Sequence, residues 1–162
     1  MKTLVAYASK HGCAEDCAKE LAGKLDHSYG MLNLKTGEAR DLSQYDCVVI
    51  GGSICVGRIQ KEVRRFCEQN LQALLGKKVM LFMCCMSPKD AEGFFKSNFP
   101  AALLAHAMQQ VNLGGELRQE RMGFFSKKIT AMAAKAMDAD QKQSGILHGQ
   151  IDALAAAINA EA

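Results

Sequence analysis

The chain has 162 residues, of which 49% are hydrophobic and 23% are charged. This composition is typical of one globular domain and excludes a disordered or collagen-like chain. Twenty lysines and arginines against seventeen acidic residues give a net charge of +3, an excess too small for a dedicated nucleic-acid binder. The longest apolar run, residues 79–86, is too short to span a bilayer. We therefore expect a single domain over residues 1–162.

The cysteines and the N-terminal residues indicate the compartment. Seven cysteines, an odd number that includes the adjacent pair Cys84 and Cys85, do not resemble the disulfide framework of a secreted protein. The first residues run directly into an apolar strand pattern without the layout of a signal peptide. Both features predict a cytoplasmic protein with no transmembrane segment.

Short apolar runs alternate with amphipathic helical patterns along the chain. Strands are predicted at residues 3–7, 31–34, 47–50 and 79–85, with a fifth beginning near Val111. Helices are predicted at residues 14–25, 63–74, 101–108, 124–137 and 147–158, and Ser87 with Pro88 opens another. Because each step from strand to strand leaves room for a crossover helix, we predict an α/β fold, a doubly wound sheet of five parallel strands with helices on both faces.

The predicted topology identifies three candidate binding loops. Ligands of such sheets bind at the carboxyl ends of the strands, beside the point where the strand order reverses. The loops after Tyr7, Ile50 and Met83 end at that edge. In the fifth strand, the pair Gly114 and Gly115 predicts a bulge or a close approach of two backbones.

The loop between the first strand and the first helix is suited to a phosphate. Such a junction offers backbone N–H groups and the positive end of a helix dipole. Ser9 adds a hydroxyl, Gly12 permits close approach of the backbone, and Lys10 and His11 add positive charge. The spacing is neither a Walker A nor a GxGxxG motif, which disfavours nucleoside triphosphates and dinucleotides. An ordinary turn with solvated Lys10 and His11 is the alternative.

Two motifs resemble those of a known family. The pattern Val5-x-Tyr7-x-Ser9-x-x-Gly12 resembles the FMN phosphate signature of flavodoxins. Residues 48–58, VVIGGSICVGR, resemble the second flavin loop, and their G-x-S-I-x-x-G form is similar to flavodoxin-domain proteins related to the menaquinone-dependent protoporphyrinogen oxidase. Residues 114–117, GGEL, and 124–129, FFSKKI, are similar to the same subgroup.

This resemblance implies a flavodoxin-like fold that binds FMN and transfers electrons through the flavin. It places the phosphate on a first set of residues: Ser9, Lys10, His11, Gly12, Cys13 and Ala14. It places the flavin ring between the second and third loops, against Ser53, Ile54, Cys55, Val56, Gly57, Cys85, Met86 and Ser87. The resemblance identifies no side chain as a general acid or base.

The chain departs from the family pattern at two places. Ala14 stands where the family usually has threonine, so one hydroxyl for the phosphate is missing. The flavin loops carry Val56 and Met86 where the family tends to have aromatic residues, and no Trp or Tyr can stack on the ring there. Met86 offers a polarizable sulfur instead.

For a protein that transfers electrons through FMN, the sequence leaves two roles open. One is an electron carrier, and the other is an oxidase-like enzyme acting on a porphyrinogen or quinone. The acceptor is a redox partner protein or a small molecule, a quinone included. Electron-carrier flavodoxins tend to be strongly acidic, so the net charge of +3 disfavours the carrier. Residues 124–137 alternate apolar side chains with lysines, which is typical of weak peripheral membrane contact or of a helix packed on the core.

The cysteines support an alternative of another class, a flavodoxin-like module that has lost FMN. Cys13, Cys55, Cys84 and Cys85 fall on loops predicted to converge, where they would form a thiol redox or soft-metal site. Their spacing is not that of a zinc site. The other cysteines, Cys17, Cys47 and Cys67, are predicted to be buried and reduced. Such a module could also bind only a protein partner.

Overall fold

A parallel sheet lies at the centre of the computed structural model, which describes residues 1–116, 123, 127–128, 131–132 and 145–162. In chain order its strands are β1 (Thr3–Ala8), β2 (Tyr29–Asn33), β3 (Cys47–Cys55), the short antiparallel β4 (Arg58–Ile59), β5 (Lys78–Cys84) and β6 (Gln109–Asn112). The five parallel strands lie in the order β2-β1-β3-β5-β6, which reverses between β1 and β3. The predicted α/β sheet is confirmed.

The central strands are buried on both faces, which explains their nearly continuous apolar sequence. All six residues of β1 are buried, as are six of the seven residues of β5. The edge strands β2 and β6 carry polar residues and give a weaker signal. Their predicted positions, residues 31–34 and from Val111, are accordingly displaced by about two residues from the observed ones.

Helices cover both faces of the sheet, as predicted. In chain order the described helices are α1 (Cys13–Gly23), α2 (Lys61–Gln69), α3 (Leu71–Leu75), α4 (Ala91–Asn98), α5 (Ala101–His106) and α6 (His148–Ala160). The apolar faces of α1 and α6 form one core with Val49 and Phe82. The other four helices form a second core on the opposite face with Ile50 and Leu81.

Two helix predictions need correction. The helix predicted over residues 63–74 is divided at Asn70, whose side-chain Nδ2 donates to the Phe66 carbonyl at 2.9 Å. Ser87 precedes a 3₁₀ turn, Pro88–Asp90, but its hydroxyl donates to the Asp90 carboxylate instead of capping a backbone N–H. Both differences arise because these side chains form local hydrogen bonds that compete with the regular helical ones.

The predicted helix over residues 124–137 lies mostly outside the described residues. Of its members, Lys127, Lys128 and Met132 are described and exposed. In the described part of the chain, no helix combines the length and the apolar character needed to cross a membrane.

Buried cysteines make the stability of the fold sensitive to alkali. Burial raises the pKa of Cys67 from 9.0 to about 12. The contribution of this thiol is therefore complete below pH 9.0 and is lost as the pH rises toward about 12. We expect the free energy of unfolding to fall less steeply over that interval in a Cys67→Ala variant, by up to about 1.4 kcal/mol per pH unit. Urea denaturation at a series of pH values measures how the free energy of unfolding of the wild type and of the variant changes with pH. Equal slopes for the two proteins would contradict the raised pKa of Cys67.

Candidate functional site

The carboxyl end of β1 continues into a tight loop, residues 9–12, that leads directly into α1. Gly12 stands at the N-cap with a φ of 93°, a left-handed conformation that favours glycine. Its N–H donates to the Ser9 hydroxyl at 2.9 Å. Within the described residues, no side chain caps α1. The N-terminus of a helix, with backbone N–H groups that the helix itself does not use, is suited to an anion, and α1 begins directly after this loop.

Two lysine side chains lie at this first loop, and the first turn of α1 that follows it carries the acidic Glu15 and Asp16. The Lys35 ammonium donates to the Ser9 carbonyl at 3.3 Å, and the Lys10 ammonium lies 3.5 Å from the Cys55 sulfur. Both groups add to the positive end of the α1 dipole. Ala14 is fully buried, so this position offers a ligand only its backbone.

A serine hydroxyl joins the first loop to the second. The Lys10 N–H donates to Ser53 Oγ at 3.1 Å. Ala8 and Gly52 are register partners at the ends of β1 and β3, the strands between which the sheet order reverses. The first and second loops therefore lie side by side at the switch point of the sheet, where open α/β sheets bind ligands.

The second loop differs from the prediction because β3 continues through it. The strand was predicted to end at Ile50, yet it runs to Cys55 and pairs with β4 in a hairpin, Ile54 opposite Ile59. Ser53 and Cys55 are thus strand residues. Only Val56 and Gly57 form the turn, and both have positive φ values of 50° and 73°. Two consecutive residues with positive φ form a turn whose twist matches the right-handed twist of the two strands that it joins. The chain can therefore turn back at Val56 and Gly57 while β3 continues to Cys55.

Val56 is a β-branched residue in a left-handed conformation and is 66% exposed. Asparagine is favoured at this turn position and valine is strained there. We expect Val56→Asn to raise the free energy of unfolding by about 1 kcal/mol. Chemical denaturation measures the change, and a less stable variant would show that the Val56 side chain makes contacts that outweigh the strain.

Two α4 residues hold this hairpin, and neither could be identified from the sequence. Asn98 is buried; its Oδ1 accepts from the Ile59 N–H and its Nδ2 donates to the Gly57 carbonyl, each at 2.9 Å. A Cβ atom on Gly57 would lie 3.2 Å from the Phe94 ring. Phe94 therefore supplies an aromatic surface beside the second loop. Nothing local in the sequence shows that α4 packs there.

The third loop, residues 85–87, is fixed by Asn112 of β6. The Asn112 side chain accepts from the Cys85 N–H and donates to the Cys85 carbonyl, both at 3.1 Å. Gly115 approaches the same loop so closely that an added Cβ would lie 2.7 Å from Met86 Cγ. This contact confirms the close approach predicted for Gly114 and Gly115, but the pair lies beyond the end of β6, in a separate short strand antiparallel to Gly145–Ile146. The Ser87 N–H donates to the Cys85 sulfur at 3.3 Å, which closes the loop.

All the predicted site residues lie at or next to one edge of the sheet. Register pairs Ser53 with Cys84, so the third loop begins beside the second. The first loop contributes Ser9, Lys10, His11 and Gly12, followed by Cys13 and Ala14 in α1. Next to it lie Ser53, Ile54, Cys55, Val56, Gly57, Cys85, Met86 and Ser87.

The cysteines form a different set from the one predicted. Cys13 and Cys84 do meet, but their third neighbour is Cys17, and the three sulfurs lie within 4.8 Å of one another. Cys55 and Cys85 contact Lys10 and Ser87 instead. The spacing of four residues between Cys13 and Cys17, which places them on one helix face, is the signal that could have identified this set.

Comparisons with known proteins agree with this geometry. A family model described as "Flavodoxin domain" matches residues 4–144. A short-chain flavodoxin associated with a non-canonical PDU bacterial microcompartment is 18% identical at a TM-score of 0.54, covering 82% of this chain and 99% of that one. A WrbA-like flavodoxin from Agrobacterium tumefaciens is 14% identical at a TM-score of 0.50, covering 84% and 99%. The comparison with curated proteins gave no match.

Proposed function

Because the chain belongs to the flavodoxin domain family, we propose that it binds FMN at this edge of the sheet and transfers electrons through the flavin. The observation that carries the proposal is the first loop, where Gly12 leads into an α1 N-terminus that has no side-chain cap among the described residues. When bound, FMN supplies the electron-transfer chemistry. The protein supplies binding, orientation and the electrostatic surroundings.

The chain's own groups divide between the two ends of the cofactor. The Ser9 hydroxyl already accepts from Gly12, so its proton can be donated to a phosphate oxygen. Lys10 and Lys35 add charge that favours a dianion over a neutral ligand. On the ring side, we propose that the apolar side chains of Val56 on the second loop and Met86 on the third lie against the flavin ring.

The electron partner follows from the charge of the protein. A net charge of +3 fits a small molecule or a protein with an acidic docking face better than a basic partner.

All seven cysteines lie in the described residues and each is a thiol, so we place the reaction in a reducing compartment, the cytoplasm.

A narrower proposal rests on the resemblance of residues 51–57 and 114–117 to the protoporphyrinogen oxidase subgroup. In this role the flavin accepts electrons from a porphyrinogen and delivers them to a quinone. The comparisons with known proteins support the flavodoxin domain and do not extend to this relation.

A redox assay on the FMN-loaded protein tests the proposal and separates the two roles. In one reaction, a flavodoxin reductase with a nicotinamide cofactor is the electron donor. In the other reaction, a porphyrinogen is the donor and a quinone is the acceptor. Bleaching of the flavin absorbance by either donor supports flavin-mediated electron transfer. Turnover with the porphyrinogen and quinone supports the narrower role, and a flavin that neither donor reduces would contradict both.

A further inference from the structure

A cluster of three thiols lies beneath the first loop, in the core between α1 and the sheet. Cys13 is the first residue of α1, Cys17 lies one turn later on the same face, and Cys84 ends β5. Their side chains are 5%, 0% and 4% exposed. All three sulfurs lie within 4.8 Å of one another. We call this group the thiol cluster.

The surroundings of the thiol cluster suit a soft cation. The same core contains Val49, Phe82 and Leu113, which are apolar and fully buried. Hydrogen bonding to Cys13 raises the pKa of both Cys17 and Cys84. Cys13 lies at the positive end of the α1 dipole, a position that favours a thiolate.

The distances allow the three sulfurs to share one ion. Sulfurs bound to one cation at a metal–sulfur length of about 2.3 Å lie about 4 Å apart when the arrangement is planar. From separations of at most 4.8 Å, each sulfur reaches that geometry by moving about half an ångström or less. Within the described residues, no histidine or carboxylate joins the group. Cysteine sulfurs are the soft ligands that Cu(I) prefers.

We propose that Cys13, Cys17 and Cys84 form a binding site for one thiophilic cation, with Cu(I) as the ion that matches the three sulfurs best. Each thiol that becomes a ligand releases its proton to solvent, and copper remains Cu(I), so no electron is transferred. The ion reaches the site at the junction of the first loop and α1, where Cys13 retains slight exposure. Copper binding by the thiol cluster does not require FMN, although Cys13 is also among the residues proposed to hold the phosphate.

Competition for copper tests the proposal on the full chain. The reduced protein is titrated anaerobically with Cu(I) in the presence of a coloured Cu(I) chelator, beside Cys17→Ala and Cys67→Ala. Cys17 and Cys67 are a matched pair, since each is a helix residue with 0% exposure, on opposite faces of the sheet. We expect the wild type and Cys67→Ala to bind one Cu(I) per chain, and Cys17→Ala to bind at least about tenfold more weakly. The affinity of the wild type rises with pH because protons are released.

Two further measurements keep the proposal falsifiable if Cys17→Ala fails to fold. Cys84→Ser, checked by circular dichroism, must lose affinity in the same way. X-ray absorption of the copper-loaded wild type must show three sulfur neighbours at about 2.3 Å. Failure of the wild type to compete with the chelator would overturn the proposal. Equal binding by Cys17→Ala and Cys67→Ala, or a disulfide within the cluster in place of copper binding, would do so as well.

Discussion

Replacing Gly12 with alanine is expected to weaken FMN binding at least about tenfold and to lower the free energy of unfolding by about 1 kcal/mol. The φ of 93° at this position strains any L side chain. Relief of that strain would rotate the first-turn N–H groups of α1 away from the phosphate, and the loss of one charge-assisted hydrogen bond costs about 1.5–3 kcal/mol. Titration with FMN, followed by flavin fluorescence, measures the affinity.

Gly23→Ala is the matched control at the other end of α1. A Cβ at Gly23 meets no atom within 4 Å, and the residue is helical. Because alanine is the better helix former, this variant keeps its FMN affinity and its stability stays equal or rises by up to about 1 kcal/mol. If both glycine variants bind FMN as the wild type does, the first loop is not the phosphate site.

Asn98→Ala is expected to lower the free energy of unfolding by about 2–4 kcal/mol. The Asn98 side chain bonds the Ile59 N–H and the Gly57 carbonyl. Its removal leaves the first, which is buried, and the second, which is half-buried, without these partners. The hairpin of β3 and β4 would then lose its attachment to α4. We expect weaker FMN binding as a second effect, since this hairpin forms the second loop.

Ser97→Ala controls for the Asn98 variant because it changes the neighbouring residue on the exposed side of α4. Its hydroxyl donates to the Phe94 carbonyl at 3.4 Å and accepts from Asn98 Nδ2 at 3.2 Å, whereas the bonds of Asn98 to Ile59 and Gly57 do not involve Ser97. We expect a change within about 0.5 kcal/mol. Urea denaturation of the two variants measures the difference, and equal stabilities would show that Asn98 does not hold the hairpin.

The sequence predicted those features of the fold that depend on neighbouring residues. The apolar runs of β1 and β5 indicate buried parallel strands because burial on both faces leaves little room for polar side chains. The first loop could also be predicted, because Ser9, Gly12 and the start of α1 lie close together in the sequence. The extension of β3 was missed because it depends on the positive φ angles of Val56 and Gly57, and valine is rare in that conformation.

Features that depend on distant residues could not be predicted. Asn98 bonds residues 39 and 41 positions away, and Asn112 bonds Cys85 from 27 positions away. A single polar residue on a helix or strand carries no sign of such a partner. Only part of the thiol cluster could be predicted. Cys13 and Cys17 share a helix face, but Cys84 joins them through the packing of α1 on β5.

The central claim is that the loop between β1 and α1 binds the phosphate of FMN. It is tested most directly by titrating the apo-protein with FMN and, in parallel, with riboflavin, which lacks the phosphate. We expect saturable quenching of flavin fluorescence at one FMN per chain, with riboflavin bound at least about tenfold more weakly. An absence of quenching at high micromolar FMN, or equal affinity for the two flavins, would contradict the claim.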